Sequence, residues 1–68
     1  MITWTDKKVN GKVLYSIGNI DGITEYDIVS LANGGFSIRK FGYLSVASAG
    51  NMTFAKHWCE EAAAKDGQ

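Results

Sequence analysis

The sequence contains no proline, one cysteine and one histidine among its 68 residues. A single cysteine, Cys59, excludes an intrachain disulfide, which suits a reducing compartment. Cys59 is the only thiol and His57, two positions before it, is the only imidazole. The sequence therefore offers no set of thiols and imidazoles for a metal site. Without proline, the turns must be formed by glycine and asparagine. A domain this small buries only about 60% of the surface that its unfolded chain exposes, so its core gives little stability. Because a disulfide and a metal site are not expected, self-association is the remaining way to stabilise it.

An excess of charge is also absent. Seven Lys and Arg residues balance seven Asp and Glu residues, so no overall field attracts nucleic acid or membrane. No apolar run approaches the ~20 residues of a membrane span, and the first residues lack the features of a signal peptide. With 46% hydrophobic residues, the sequence predicts a single folded cytoplasmic domain over residues 1–68.

Turn signals recur along the first half of the chain, at Asn10-Gly11, Asp21-Gly22 and Asn33-Gly34-Gly35. Such dipeptides favour the type I′ turns of β-hairpins, and the segments between them are rich in β-branched and aromatic residues. We expect four strands in an antiparallel meander, over residues 2–8, 12–20, 24–32 and 36–46, the last with a break near Gly42.

A helix is predicted over residues 51–65. Asn51 is a suitable N-cap, and one stripe of the helix is apolar at spacings of three and four: Met52, Ala55, Trp58, Cys59 and Ala62. The predicted fold class is therefore α+β, a four-stranded antiparallel meander with one C-terminal helix packed on one face.

Two-residue turns would fix the register of the strands. A three-residue loop at Asn33 would instead pair apolar with polar residues, so the two-residue turn is preferred. One sheet face then carries Ile2, Trp4, Tyr15, Ile17, Tyr26, Ile28 and Phe41, and the other carries Leu14, Val29, Leu31, Phe36 and Ile38. A bulge near Gly18 or Gly42 would move some of these residues across.

The predicted helix is about 22 Å long and can cover only one sheet face. An apolar second face would then remain exposed, as is typical of an interface; strong coiling of the sheet is the alternative. We expect a host protein, or a second copy of the chain, to bind this face or a free strand edge. The expected partner-binding residues are Val29, Leu31, Phe36, Ile38, Arg39 and Lys40.

Catalytic or cofactor chemistry is not expected. His57 and Cys59 point to different sides of a helix, the carboxylates Asp21, Glu25 and Asp27 surround an exposed turn, and the glycines form no phosphate-binding motif. The alternative function is nucleic-acid binding, because cations and aromatic rings together suit phosphates and bases. The basic residues concerned are Lys7, Lys8, Lys12, Arg39 and Lys40.

The second half of the chain resembles small accessory proteins encoded by bacteriophages and prophages. The resemblance lies in the strand Gly35-Phe36-Ser37-Ile38-Arg39, the following Gly42, and the helical segment Phe54-Ala55-Lys56-His57-Trp58-Cys59-Glu60. It implies a non-enzymatic binder that inhibits or redirects a host complex, of the size class of anti-CRISPR and other counter-defence proteins. The resemblance carries over no catalytic or binding residue.

Overall fold

A computed structural model describes residues 2–42 and 44–66. They form an α+β fold in the order β1 (Thr3–Val9), β2 (Lys12–Ile20), β3 (Ile23–Ser30), β4 (Phe36–Lys40), β5 (Leu44–Ala49) and α1 (Met52–Asp66). The strands make one antiparallel sheet in sequence order, with β1 and β5 at its edges. The prediction of four strands was wrong by one, because residues 36–46 are divided by a tight turn at Phe41-Gly42.

The helix begins where the sequence predicted. The Asn51 side chain accepts a hydrogen bond from the Phe54 amide at 2.7 Å, and its carbonyl accepts one from the Ala55 amide at 3.1 Å. The first bond satisfies an amide that the helix start leaves without an intrahelical partner, and the second is the first regular hydrogen bond of the helix. Among the described residues, no helix combines the length and apolar character that a membrane crossing requires.

The core lies between α1 and one face of the sheet, which we call the inner face. Ala55 and Cys59 of α1 are fully buried there, and their small side chains let the helix approach the sheet closely. Ile2, just before β1, is almost fully buried against this face, and the fully buried or nearly fully buried strand side chains are Ser16, Tyr26, Ile28 and Ile38. Trp4, Phe36 and Met52 are half-buried at the margin of this core.

The predicted two-residue turns at Asn10-Gly11 and Asp21-Gly22 are confirmed by the pairs Val9–Lys12 and Ile20–Ile23. The predicted register was wrong beyond these two turns, and also after the third. Bulges between Lys7 and Lys8 and between Gly18 and Asn19 shift the first two hairpins. Five residues, 31–35, connect β3 to β4, where a two-residue turn was expected. Each shift of one residue exchanges the two faces of a strand. Ile28 therefore pairs with Ile38 on the inner face, and Val29 pairs with Ser37 on the other.

Candidate interaction surface

The sheet face opposite α1, which we call the outer face, is the first candidate surface. Its central residues are Tyr15, Ile17, Asp27, Val29 and Arg39. Direct pairing connects them, since Tyr15 lies opposite Val29 and Asp27 lies between Ile17 and Arg39. Their neighbours Ser16, Ile28 and Ile38 are buried under the helix, so these alternate residues project to the other side.

An ion pair lies in the middle of the outer face. Arg39 donates to Asp27 twice, from Nε to Oδ1 at 2.7 Å and from Nη2 to Oδ2 at 3.1 Å. This two-point geometry is the strongest that a guanidinium and a carboxylate adopt. The bonds to Asp27 raise the pKa of Arg39. The pair therefore holds both side chains in place between the apolar residues.

The apolar residues and the ion pair enclose a shallow depression. Its volume is about 260 Å³, and its lining is Tyr15, Ile17, Asp27, Val29 and Arg39. Tyr15 remains 37% exposed, whereas Ile17 and Val29 are half-buried between their strand neighbours. Among the described elements, α1 packs on the inner face and nothing packs over this depression. The arrangement can hold an apolar side chain of a partner next to a fixed pair of opposite charges.

The six residues expected to bind a partner do not share one surface. Val29 and Arg39 lie on the outer face, and Leu31 is 38% exposed in the connection after β3. Ile38 is fully buried and Phe36 is half-buried against the core. Lys40 pairs with the inner-face residue Tyr26. The grouping of Val29 and Leu31 with Phe36 and Ile38 on one exposed face is therefore wrong, because the expected register was displaced by one residue.

Tyr15 and Ile17 belong to the outer face, although the expected register placed them on the same face as Tyr26 and Ile28, which the helix covers. The signal that identifies their face is Gly18, a glycine inside a strand. Such a glycine often marks the close approach of another group. Trp4 lies directly opposite Gly18, and its ring occupies the space that a side chain at position 18 would need. Residues 15 and 17 must therefore face away from Trp4.

The basic residues of the nucleic-acid alternative are dispersed. Lys7 lies opposite Tyr15 on the outer face, and Lys8 and Lys12 pair with residues beside the first turn. Arg39 is held by Asp27. The Lys40 ammonium lies 5.6 Å from the ring centre of Tyr26 and 5.4 Å from that of Phe41. Lys7 and Arg39 thus share the outer face with Tyr15, whereas Lys40 lies on the inner face.

Groups with catalytic potential are also separated. The Cys59 thiol is buried, and burial raises its pKa to about 12. His57 is exposed and contacts Glu61, with 2.9 Å between Nε2 and Oε1. Among the residues that the structure describes, no three His, Cys, Asp or Glu side chains group closely enough to hold a metal ion.

Comparison with known proteins adds no relative to this description. The chain matches no protein-family model, no curated protein and no solved structure.

Proposed function

We propose that this protein is a small interaction module that binds another protein through the outer face of its sheet. It acts by occupancy, covering a surface of its partner without chemical change. Inhibition or redirection of a host complex, as in phage-encoded counter-defence proteins, is the kind of activity that such binding would provide.

One observation carries the proposal: the helix covers one side of the sheet and leaves apolar residues around a fixed ion pair on the other. Tyrosine and arginine are enriched among the residues that dominate binding energies, and both line the depression. Because Asp27 already orients Arg39, the guanidinium loses little freedom when a partner contacts it.

The test compares variants of the outer face. Tyr15→Thr combined with Val29→Thr removes apolar surface and places at both positions a β-branched residue that suits a strand. Ile23→Thr is the matched control, since Ile23 is 64% exposed at the start of β3, beside the second turn. Circular dichroism and thermal unfolding establish that all proteins remain folded.

Binding is measured in two steps. The immobilised chain first retains proteins from cells in which it occurs naturally, and the retained protein is identified by mass spectrometry. The purified pair is then titrated by calorimetry. We expect the double variant to raise the Kd at least about tenfold, or 1.4 kcal/mol, and Ile23→Thr to leave it within about twofold. An unchanged Kd in the double variant would contradict the proposal.

A gel-shift assay distinguishes nucleic-acid binding from protein binding. If the chain shifts DNA or RNA in a gel at low salt, and the shift disappears steeply with added salt, the partner is a nucleic acid. Replacing Lys7, Lys8 and Lys12 together by Gln would then abolish the shift. That result, without a retained protein, would replace the proposal by the alternative.

A further inference from the structure

The two edges of the sheet differ in how well they are protected. An edge strand exposes backbone N–H and C=O groups that invite another strand, and charged side chains discourage such pairing. β1 carries Asp6, Lys7 and Lys8 within its seven residues. β5 has the sequence LSVASA without an ionisable side chain, and it exposes 51% of Leu44 and 37% of Val46. The β5 edge is therefore the one open to pairing.

The flank of α1 above β5 is also apolar. The other flank faces β1: the Lys56 ammonium lies 3.1 Å from Asp6 Oδ1, and the Glu60 carboxylate accepts a hydrogen bond from the Ile2 amide at 3.1 Å. With 3.6 residues per turn, positions 54 and 58 project about 160° away from positions 56 and 60. Phe54, which is 54% exposed, and Trp58 thus lie on the β5 side.

We propose that β5 pairs with β5 of a second copy in antiparallel orientation, so that two five-stranded sheets become one continuous sheet. Directly opposed residues of an antiparallel pair share a face, so the two-fold axis stands perpendicular to the sheet. Both helices then lie on the same side, and their Phe54–Trp58 flanks meet across the axis. The strip formed by β5 with Phe54 and Trp58 is self-complementary, as a two-fold interface requires.

The distribution of charge favours a second copy of the chain as the partner that binds the strip. β5 opposes no like charges when it pairs with itself, whereas β1 would bring its own Lys7 and Lys8 towards their copies. The α1 flank continues past Trp58 with Glu61 and Lys65, which line a depression of about 280 Å³ and carry opposite charges. The net charge of the chain is zero, so two copies do not repel each other.

The available area predicts a reversible dimer. A six-residue strand is about 20 Å long, and the shorter dimensions of the molecule are 21 and 20 Å. The strip therefore projects roughly 400 Å² on each copy, or about 800 Å² in total, which is below the size of stable interfaces and in the range of weak, transient ones. We expect dissociation in the micromolar range. The outer face stays free in such a dimer, so this inference stands or falls separately from the proposed function.

Sedimentation equilibrium of the full chain from about 1 μM to about 1 mM tests the inference. The mass of the wild-type protein should rise with concentration from 7.4 kDa towards twice that value. Ser48→Lys places a charge on an exposed position of β5 and should keep the mass at 7.4 kDa throughout. Thr5→Lys adds the same charge at an exposed position of β1 and should dimerise like the wild type.

A second measurement identifies the surface. Amide exchange of residues 44–49 should slow as concentration rises, whereas exchange of β1 should not change. A wild-type protein that stays at 7.4 kDa at the highest concentration overturns the inference. A dimer that persists in Ser48→Lys overturns it as well, and its loss in the Tyr15→Thr and Val29→Thr variant would assign self-association to the outer face.

Discussion

At the scale of single residues, Gly18 determines how Trp4 packs. A Cβ atom at position 18 would lie 2.8 Å from Ile2 Cγ2 and 2.8 Å from Trp4 Cζ3, closer than carbon atoms approach each other. Both side chains would have to shift in a small core. We expect Gly18→Ala to lower the free energy of unfolding by about 1–3 kcal/mol, measured by urea unfolding with tryptophan fluorescence.

The matched control for this change is Gly50→Ala. A Cβ atom at position 50 would meet no side chain or distant backbone atom within 4 Å, and the backbone there lies outside the left-handed region. This variant should stay within about 0.5 kcal/mol of the wild type. Equal stability of the two alanine variants would show that the packing of the Trp4 ring does not require a glycine at position 18.

The thiol of Cys59 gives a second prediction at this scale. Burial raises its pKa to about 12, while in the unfolded chain it is about 8.5. The neutral thiol therefore favours the folded state fully below about pH 8.5, and the advantage is lost as pH rises towards the folded pKa, by at most about 1.4 kcal/mol per unit. Between pH 8 and pH 10, the wild type should lose stability relative to Cys59→Ala.

The same burial should keep the native thiol from reacting with a disulfide reagent at pH 8 until urea unfolds the protein. Parallel stability curves for the wild type and Cys59→Ala, or immediate reaction of the native thiol, would contradict this account.

At the scale of secondary-structure elements, the turn between β4 and β5 contains an unfavourable residue. Phe41 and Gly42 have φ values of 58° and 81°, close to those of Asn10-Gly11 and Asp21-Gly22. The left-handed conformation is unfavourable for residues other than glycine, asparagine and aspartate. We expect Phe41→Asn to stabilise the fold by about 1 kcal/mol in thermal unfolding.

Phe41→Ala provides the control, because it removes the same ring without relieving the backbone. The asparagine variant should be the most stable of the three proteins. If the alanine variant is equally stabilised, the gain comes from removing the exposed ring, which is 52% accessible, and not from the turn.

The same elements show how far the sequence can be interpreted. Asn10-Gly11, Asp21-Gly22 and the cap Asn51 act locally, so the first two hairpins, the α+β class and the start of the helix were predictable. Phe41-Gly42 was not read as a turn, since phenylalanine rarely occupies its first position, although a break near Gly42 was expected. In the connection after β3, the Leu31 amide donates to the Gly35 carbonyl at 2.8 Å. This bond closes a three-residue loop over residues 32–34, one residue earlier than the three-residue loop that was weighed against the two-residue turn.

The faces of the sheet were less predictable than its strands. A bulge adds one residue and reverses the face of everything beyond it, and its position depends on packing between strands. The bulge after Gly18 was considered from the glycine alone, whereas the bulge after Lys7 has no comparable signal in the sequence. Val29 and Arg39 were therefore found as surface residues, while Ile38 was misplaced and Tyr15 and Ile17 were missed.

At the scale of the whole molecule, Asp6 connects three elements. It accepts a hydrogen bond from the Ser16 hydroxyl of β2 and another from the Lys56 ammonium of α1, at 3.1 Å. Lys56 also lies 5.6 Å from the ring centre of Trp4. Since Ser16 is fully buried, loss of the Asp6 carboxylate would leave its hydroxyl without this hydrogen bond. This junction joins the start of the sheet to the helix that ends the fold.

Because of this junction, the free energy of unfolding depends on pH in the acid range. The bonds from Ser16 and then Lys56 lower the pKa of Asp6, below its value of about 3.9 in an unfolded chain. A lowered carboxyl pKa contributes stability above the unfolded value, and this contribution is lost as pH falls through the folded pKa. Asp6→Asn should therefore be less stable than the wild type at pH 7, and the difference should shrink below about pH 4.

Urea unfolding at a series of pH values, followed by tryptophan fluorescence, measures this difference. Asp21→Asn is the control, because it removes the same charge at the exposed second turn, where asparagine also suits the φ of 52°. Subtracting each variant from the wild type cancels the titration of the other carboxylates. If the Asp6→Asn and Asp21→Asn differences vary with pH in the same way, the carboxylate of Asp6 does not hold α1 to the sheet, and the buried apolar contacts of Ala55 and Cys59 suffice.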